Sequence, residues 1–144
     1  MKVSFYENGI TAGEKLKYVV IMSEFQNKWI FVRQKNKDTW EIPGGHIEKD
    51  ETIEQAASRE LYEETGATDF LIKEICLYSV EVGDVKTVGK LLYAKVKKIG
   101  PLPNYEIAEI ILTEEMPVNL SYPLIQPLLA EKVICHIHKK NVRT

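Results

Sequence analysis

The segment from Thr39 to Ala67, TWEIPGGHIEKDETIEQAASRELYEETGA, constrains the chain most, because it sets carboxylates along the packing side of a helix. Glu60, Glu63 and Glu64 stand at i, i+3 and i+4, so on a helix turning about 100° per residue their side chains crowd one sector. Ile53, Ala56, Ala57 and Leu61 point to the side that carries Glu60 and Glu64, while Gln55, Ser58 and Tyr62 point away. A surface helix ordinarily does the reverse and turns its acids to water. Burying like charges is costly, and the usual resolutions are a raised pKa, an arginine partner or a bound cation. Oxygen ligands in this number suit a hard divalent ion, Mg2+ or Mn2+.

Both ends of this helix are legible. Thr52 followed three residues later by Gln55 is a capping-box pattern, and Gly66 stands where a left-handed C-terminal cap belongs, so a helix is predicted over Ile53 to Thr65. Ahead of it, Ile42-Pro43-Gly44-Gly45 follows the strand-like Thr39-Trp40-Glu41. A double glycine lets the backbone approach a ligand with no side chain in the way. The order is strand, glycine turn, loop and acidic helix.

These residues resemble the Nudix box: a glycine, Glu after five residues, then after seven more Arg-Glu-aliphatic-x-Glu-Glu-x-Gly-aliphatic. The chain supplies Gly45, Glu51, Arg59, Glu60, Leu61, Glu63, Glu64, Gly66 and Ala67, and departs only in Ala67, smaller than the bulky aliphatic of the strict pattern. The resemblance implies an α+β fold, a Nudix-type α/β/α sandwich with a mixed β-sheet between helices. It also implies an enzyme that hydrolyses a nucleoside diphosphate linked to another group, with Mg2+ (or Mn2+) neutralising the phosphates. Glu60, Glu63 and Glu64 would then be metal ligands together with the Gly44 carbonyl, and Arg59 with Glu51 a supporting ion pair. Phosphoryl transfer needs charge neutralisation and positioned water, which metals held by fixed carboxylates provide.

The family often needs one further acid outside the box. Glu106 and Glu109 are the candidates, three apart and just ahead of Ile110-Ile111-Leu112, with Glu106 preferred as the more loop-like; each is equally well an ordinary surface acid. Three residues are weighed for substrate. His46 follows the double glycine and would face phosphate, or solvent. Arg33, one strand earlier, would pair with phosphate oxygens or with a surface acid. Asn119 lies near where MutT-type members carry a purine-reading amide, and is otherwise a turn former before the second helix. Of the aromatic residues Trp29, Trp40, Tyr78, Tyr105 and Tyr122, most are expected in the core.

At 144 residues and 44% hydrophobic content the chain has room for one core, read as a single domain over residues 1–138 with a tail over 139–144. A net charge of −2 disfavours long nucleic acid as a partner and leaves a small nucleotide; a homodimer is compatible with the resemblance. No apolar stretch reaches the roughly 18 residues that span a membrane, and the start MKVSFYENG has no signal-peptide core, so a cytoplasmic protein is expected. Cys76 and Cys135 lack metal-ligand spacing and read as reduced thiols. His136-Ile137-His138 reads as a strand with two imidazoles on one face. Strands are predicted over Tyr18–Phe25, Lys28–Arg33, Phe70–Val82, Thr87–Lys97 and Glu106–Thr113, and a second helix over Leu124–Lys132. Within the implied activity the leading substrate is a nucleoside triphosphate, plausibly an oxidised purine deoxynucleotide such as 8-oxo-dGTP. ADP-ribose or another nucleotide sugar, a dinucleoside polyphosphate and the triphosphate end of RNA follow. A nucleotide-sensing module without catalysis is the reading from another class.

Overall fold

Side chains alternate across a strand, and along β2 (Leu16–Phe25) that alternation divides the molecule into two cores. Val19 and Ile21 are buried with Ala56, Ala57 and Leu61 of helix α1 (Ile53–Thr65), whereas Met22 is buried with Leu129, Ala130 and Val133 of helix α2 (Gln126–Val142). The computed structural model describes residues 1–7 and 12–142, with side chains described as far as His138. Its strands are β1 (Lys2–Tyr6), β2, β3 (Lys28–Gln34), β4 (Trp40–Glu41), β5 (Gly44–His46), β6 (Ala67–Val82), β7 (Val85–Ile99) and β8 (Ile107–Thr113), with α1 after β5 and α2 last. They form one mixed sheet in the order β1-β6-β7-β2-β3-β4, to which β5 adds beside β2 and β8 beside β3. Only the β2–β7 pairing is parallel; the others are antiparallel. One helix covers each face, so the α/β/α sandwich expected from the sequence is the observed fold.

Helix α1 occupies the predicted span. Thr52 accepts from the Gln55 N–H, and Gln55 accepts in return from the Thr52 N–H. At its other end Gly66 is left-handed at φ 80° and donates to the Tyr62 carbonyl. The Gln26-Asn27 turn joins β2 to β3 with both residues at positive φ, as a tight hairpin of the right twist requires.

Four features differ from the sequence reading. Gly44 and Gly45, read as a turn, lie with His46 in the short strand β5, which pairs antiparallel with β2. β1 was not anticipated; it is an edge strand paired only with β6 and largely half-buried, so it has no continuous apolar run. α2 begins two residues later than expected and runs on to Val142, through the first part of the segment read as a tail. Pro127 is tolerated because it lies in the first turn, where a backbone N–H has no intrahelical acceptor. His136 and His138 therefore lie on this helix and not on a strand. Two residues of helix separate them by about 200°, which directs them to different sides. Of the aromatic residues, Tyr78 is buried, Trp29 and Trp40 pack half-buried against the α2 core, and Tyr105 and Tyr122 are exposed. Cys76 is buried and Cys135 exposed, both unpaired. Among the described residues no helix is long and apolar enough to cross a membrane.

A side chain at Gly66 would meet both strain at positive φ and the Gly100 and Pro101 carbonyl oxygens, 2.7 and 2.8 Å from an added Cβ. Gly66→Ala is expected to lower the unfolding free energy by about 1–3 kcal/mol. Urea unfolding checks this, and a loss below about 0.5 kcal/mol would show that the backbone there relaxes freely.

Candidate active site

The cleft lies where β5 meets the C-terminal half of α1. Gly44, Gly45 and His46 form β5 against Val20, Val19 and Tyr18 of β2, and Glu60 and Glu64 come up to them from α1. The Gly44 N–H donates to Glu64 Oε1 at 2.8 Å. A Cβ on Gly45 would sit 2.4 Å from the Glu60 carboxyl carbon, so glycine there makes the space that this carboxylate occupies. Together they line one end of a cavity of about 700 Å3 that Glu41, Glu48 and Glu106 also border.

Behind this end one guanidinium gathers the remaining charge. Arg59 Nε donates to Glu51 Oε2 at 2.7 Å and its Nη2 to Glu51 Oε1 at 2.9 Å, a two-pronged pairing. Nη2 also donates to the His46 carbonyl at 3.0 Å, while Nη1 reaches Glu60 at 2.6 Å and Glu63 at 3.3 Å. The guanidinium pairing and the Glu48 N–H hold the Glu51 carboxyl down to about 2. Arg59 itself is held above its ordinary value by the same carboxylate.

The cavity side is electrostatically opposite. Glu64 is 8% exposed, and burial pushes its carboxyl up to about 8, with the negative charge of Glu60, Glu41 and Glu106 adding to the rise and the Gly44 N–H opposing it. Burial also raises Glu60, against the pull of Arg59. Among the described residues Glu64 and Glu106 have no cationic partner. This donor set fits a hard divalent cation: carboxylate oxygens, partly desolvated, at excess negative charge. Among the described residues no three acidic, histidine or cysteine side chains converge on one point; Glu60 and Glu63 are paired with Arg59.

Other residues singled out in the sequence are dispersed. Glu63 stays beside Arg59 and does not border the cavity. Glu106 borders it, whereas Glu109 faces Arg33 across the β3–β8 pairing and accepts from its Nε at 2.9 Å. Arg33 also donates to the Lys37 carbonyl, which commits it away from the cleft. Asn119 is exposed; its Nδ2 donates to the Asp38 carbonyl and its own carbonyl accepts from the Trp40 N–H, a loop-bracing role. The His46 ring borders the cavity with its centroid 4.6 Å from that of Tyr18. The sequence reading missed Glu41, Tyr18 and Gln126, all of which line the cavity. Glu41 alone carried a usable sign, an acid immediately before the Ile-Pro-Gly-Gly turn.

Sheet, helix and cleft define a Nudix-type fold, and the NUDIX domain family model matches residues 14–97, more than half of the chain. The chain belongs to the NUDIX domain family. It is 36% identical over 107 residues to the putative 8-oxo-dGTP diphosphatase YtkD of Bacillus subtilis, a match covering 73% of this chain and 66% of that protein. It is 46% identical over 118 residues to the phosphatase NudJ of Escherichia coli K12, covering 77% and 76%. The pyrophosphohydrolase BsRppH of Bacillus subtilis superposes with a TM-score of 0.75 at 25% identity, over 92% of this chain and 88% of that one.

Glu64 links the site to pH. With its carboxyl raised from 4.5 to about 8, the ion-free folded protein keeps a proton there that the unfolded chain has released. Stability should therefore fall as pH rises from about 4.5 to about 8, by up to about 1.4 kcal/mol per pH unit. In urea unfolding with a chelator, wild type should lose stability between about pH 5.5 and about pH 7.5 while Glu64→Gln stays nearly flat. Equal slopes would mean that Glu64 is ionised throughout.

Proposed function

We propose that this chain is a Mg2+-dependent Nudix pyrophosphohydrolase that cleaves a nucleoside triphosphate to a monophosphate and pyrophosphate. The leading substrate is an oxidised purine deoxynucleotide such as 8-oxo-dGTP. The observation that carries the reading is the buried Glu64 carboxyl at the end of a ligand-sized cavity, tethered by the Gly44 N–H and left without a counter-charge. A structural acid would have been given a partner, as Glu51 has been. The family model, a relative named for 8-oxo-dGTP and a structural neighbour described as a pyrophosphohydrolase support it.

In this reading Glu60, Glu63 and Glu64, with the Gly44 carbonyl, would hold the ion. When bound, Mg2+ (or Mn2+) supplies charge neutralisation for the phosphate chain. Glu51 and Arg59 keep the loop after β5 against α1, so that Glu60 and Glu64 stay aimed at the cleft. One oxygen of Glu64 is occupied by the Gly44 N–H, which fixes the direction of the other. Water attacks phosphorus, the bond to the departing pyrophosphate oxygen breaks, and the water proton passes to a carboxylate at the cavity end, with Glu106 placed as the acid outside the box. His46 stands at the rim, where phosphate would enter.

Product release with Mg2+ across nucleoside triphosphates, 8-oxo-dGTP, ADP-ribose, dinucleoside polyphosphates and triphosphorylated RNA tests this. Turnover of a triphosphate is expected, lost on chelation and reduced at least about 100-fold in Glu64→Gln or Glu63→Gln with the fold retained. Nucleotide binding with no turnover across the panel would replace this reading by that of a sensing module.

A further inference from the structure

The cavity also carries a polar pair, Gln126 and Glu41, outside the hydrolytic set. Gln126, the first residue of α2, is 4% exposed and borders the cavity. Its Oε1 accepts from the Tyr122 backbone N–H at 2.9 Å. A backbone N–H requires an acceptor, so this bond fixes which way the amide lies and turns the NH2, a pure donor, the other way. The NH2 has no protein partner among the described residues. Every fully enclosed side-chain nitrogen or oxygen among them does have one, so this donor is accessible, on a residue that borders the cavity.

Glu41, also at the cavity, is the matching acceptor. Ser121 Oγ donates to its Oε2 at 3.0 Å and Gln34 Nε2 to its Oε1 at 3.3 Å, Lys37 Nζ stands 3.7 Å from Oε2, and the Ser121 N–H bonds to the Trp40 carbonyl at 3.0 Å. Ser121 and Tyr122 are consecutive, so a single stretch of backbone holds both the carboxylate and the amide. The sheet supplies an aromatic wall, in which the Tyr18 and His46 rings are tilted 57° to each other. Tyr78 pairs with Gly89, Gly89 with Tyr18 and Tyr18 with His46 in one cross-strand row. A Cβ on Gly89 would lie 2.5 Å from the Tyr78 ring, so that ring rests on bare backbone. The Tyr18 and His46 rings are the more exposed part of this row at the cavity, and aromatic surface stacks any nucleobase and leaves discrimination to groups at the base edge.

We infer that Gln126 and Glu41 read a nucleobase edge and select the lactam type, a carbonyl beside a ring N–H, over the amino type. The Gln126 NH2 donates to the carbonyl, and the Glu41 carboxylate accepts from the ring N–H. Guanine, hypoxanthine, uracil and thymine present that edge. Adenine and cytosine present an amino group toward the donor and a ring lone pair toward the carboxylate, which mispairs both contacts. The inference rests on the cavity being the nucleotide site of the proposed hydrolase, and it names the base class.

Two assays on the full chain with Mg2+ test it: kcat/KM for GTP, ITP, UTP, ATP and CTP, and equilibrium dialysis of the monophosphates GMP, UMP and AMP. Wild type is expected to favour lactam bases at least about tenfold in both, with GTP against UTP showing whether the slot takes purines or pyrimidines. Gln126→Glu keeps the acceptor for the Tyr122 N–H and exchanges the donor for an acceptor, so the GMP to AMP ratio should fall at least about tenfold. Gln126→Met, which removes the donor without adding charge, should bring the ratio near one and serves if the glutamate variant does not fold. An unchanged ratio in either folded variant, or equal GMP and AMP binding in wild type, overturns the inference. Lactam preference in dialysis without any turnover supports it and overturns the hydrolase reading instead.

Discussion

One guanidinium organises the cleft. Arg59 is bonded to Glu51, Glu60, Glu63 and the His46 carbonyl, so it ties the end of β5, the loop after it and two turns of α1 into one unit. It cannot give up its proton at any pH the fold survives, so the charge it supplies is permanent. Without it, three carboxylates would share a half-buried sector and repel. With it, negative charge is divided: Glu51, Glu60 and Glu63 are paired with the arginine, and Glu64, in the same sector, is left to the cavity. That asymmetry turns a packed acidic helix into a site with an unmet demand for positive charge.

The sheet puts the two halves of the cavity within reach of one ligand. The even-numbered residues Tyr18, Val20 and Met22 of β2 face α2, and the first two of these border the cavity. Beyond β2 lies β5 with Gly44 and His46 on one side and β7 with Gly89 on the other. Charge therefore gathers toward α1 and an aromatic floor toward β6, with the first turn of α2 closing over the floor. The loop of residues 119–122 fastens that turn to β4 through the Trp40 pairings.

How much of this could be read in the sequence varies with the range of the interactions. α1 was legible to the residue because its signals are local: a capping box at Thr52 and Gln55, a left-handed glycine at 66, and apolar periodicity between them. The Gln26-Asn27 hairpin was legible for the same reason. β1 was not, since an edge strand buries too little for its composition to show. The histidines at 136 and 138 were misassigned because a short apolar-polar alternation fits a strand and a helix end alike, and packing of Val133 and Ile137 under the sheet decided between them. Arg33 and Asn119 were sensible candidates by residue type; their hydrogen bonds to Glu109, Lys37 and Asp38 arise from chain pairings that the sequence alone does not specify.

The sequence by itself determined that three glutamates share a helix sector with an arginine one residue before the first of them, and that two glycines precede them, although it read those glycines as a turn where they form strand β5. Those relations follow from helical periodicity and glycine's missing Cβ. Only the tertiary structure decided which acids would be neutralised and which left for a ligand. Glu106 and Glu109 are three residues apart and alike in type, yet the β3–β8 register gives Glu109 to Arg33 and leaves Glu106 at the cavity. The Gln126 amide is likewise oriented by a single backbone N–H four residues earlier, that of Tyr122. Burial and charge partners come from segments distant in the chain, and they, more than residue identity, set what a carboxylate or an amide is free to bind.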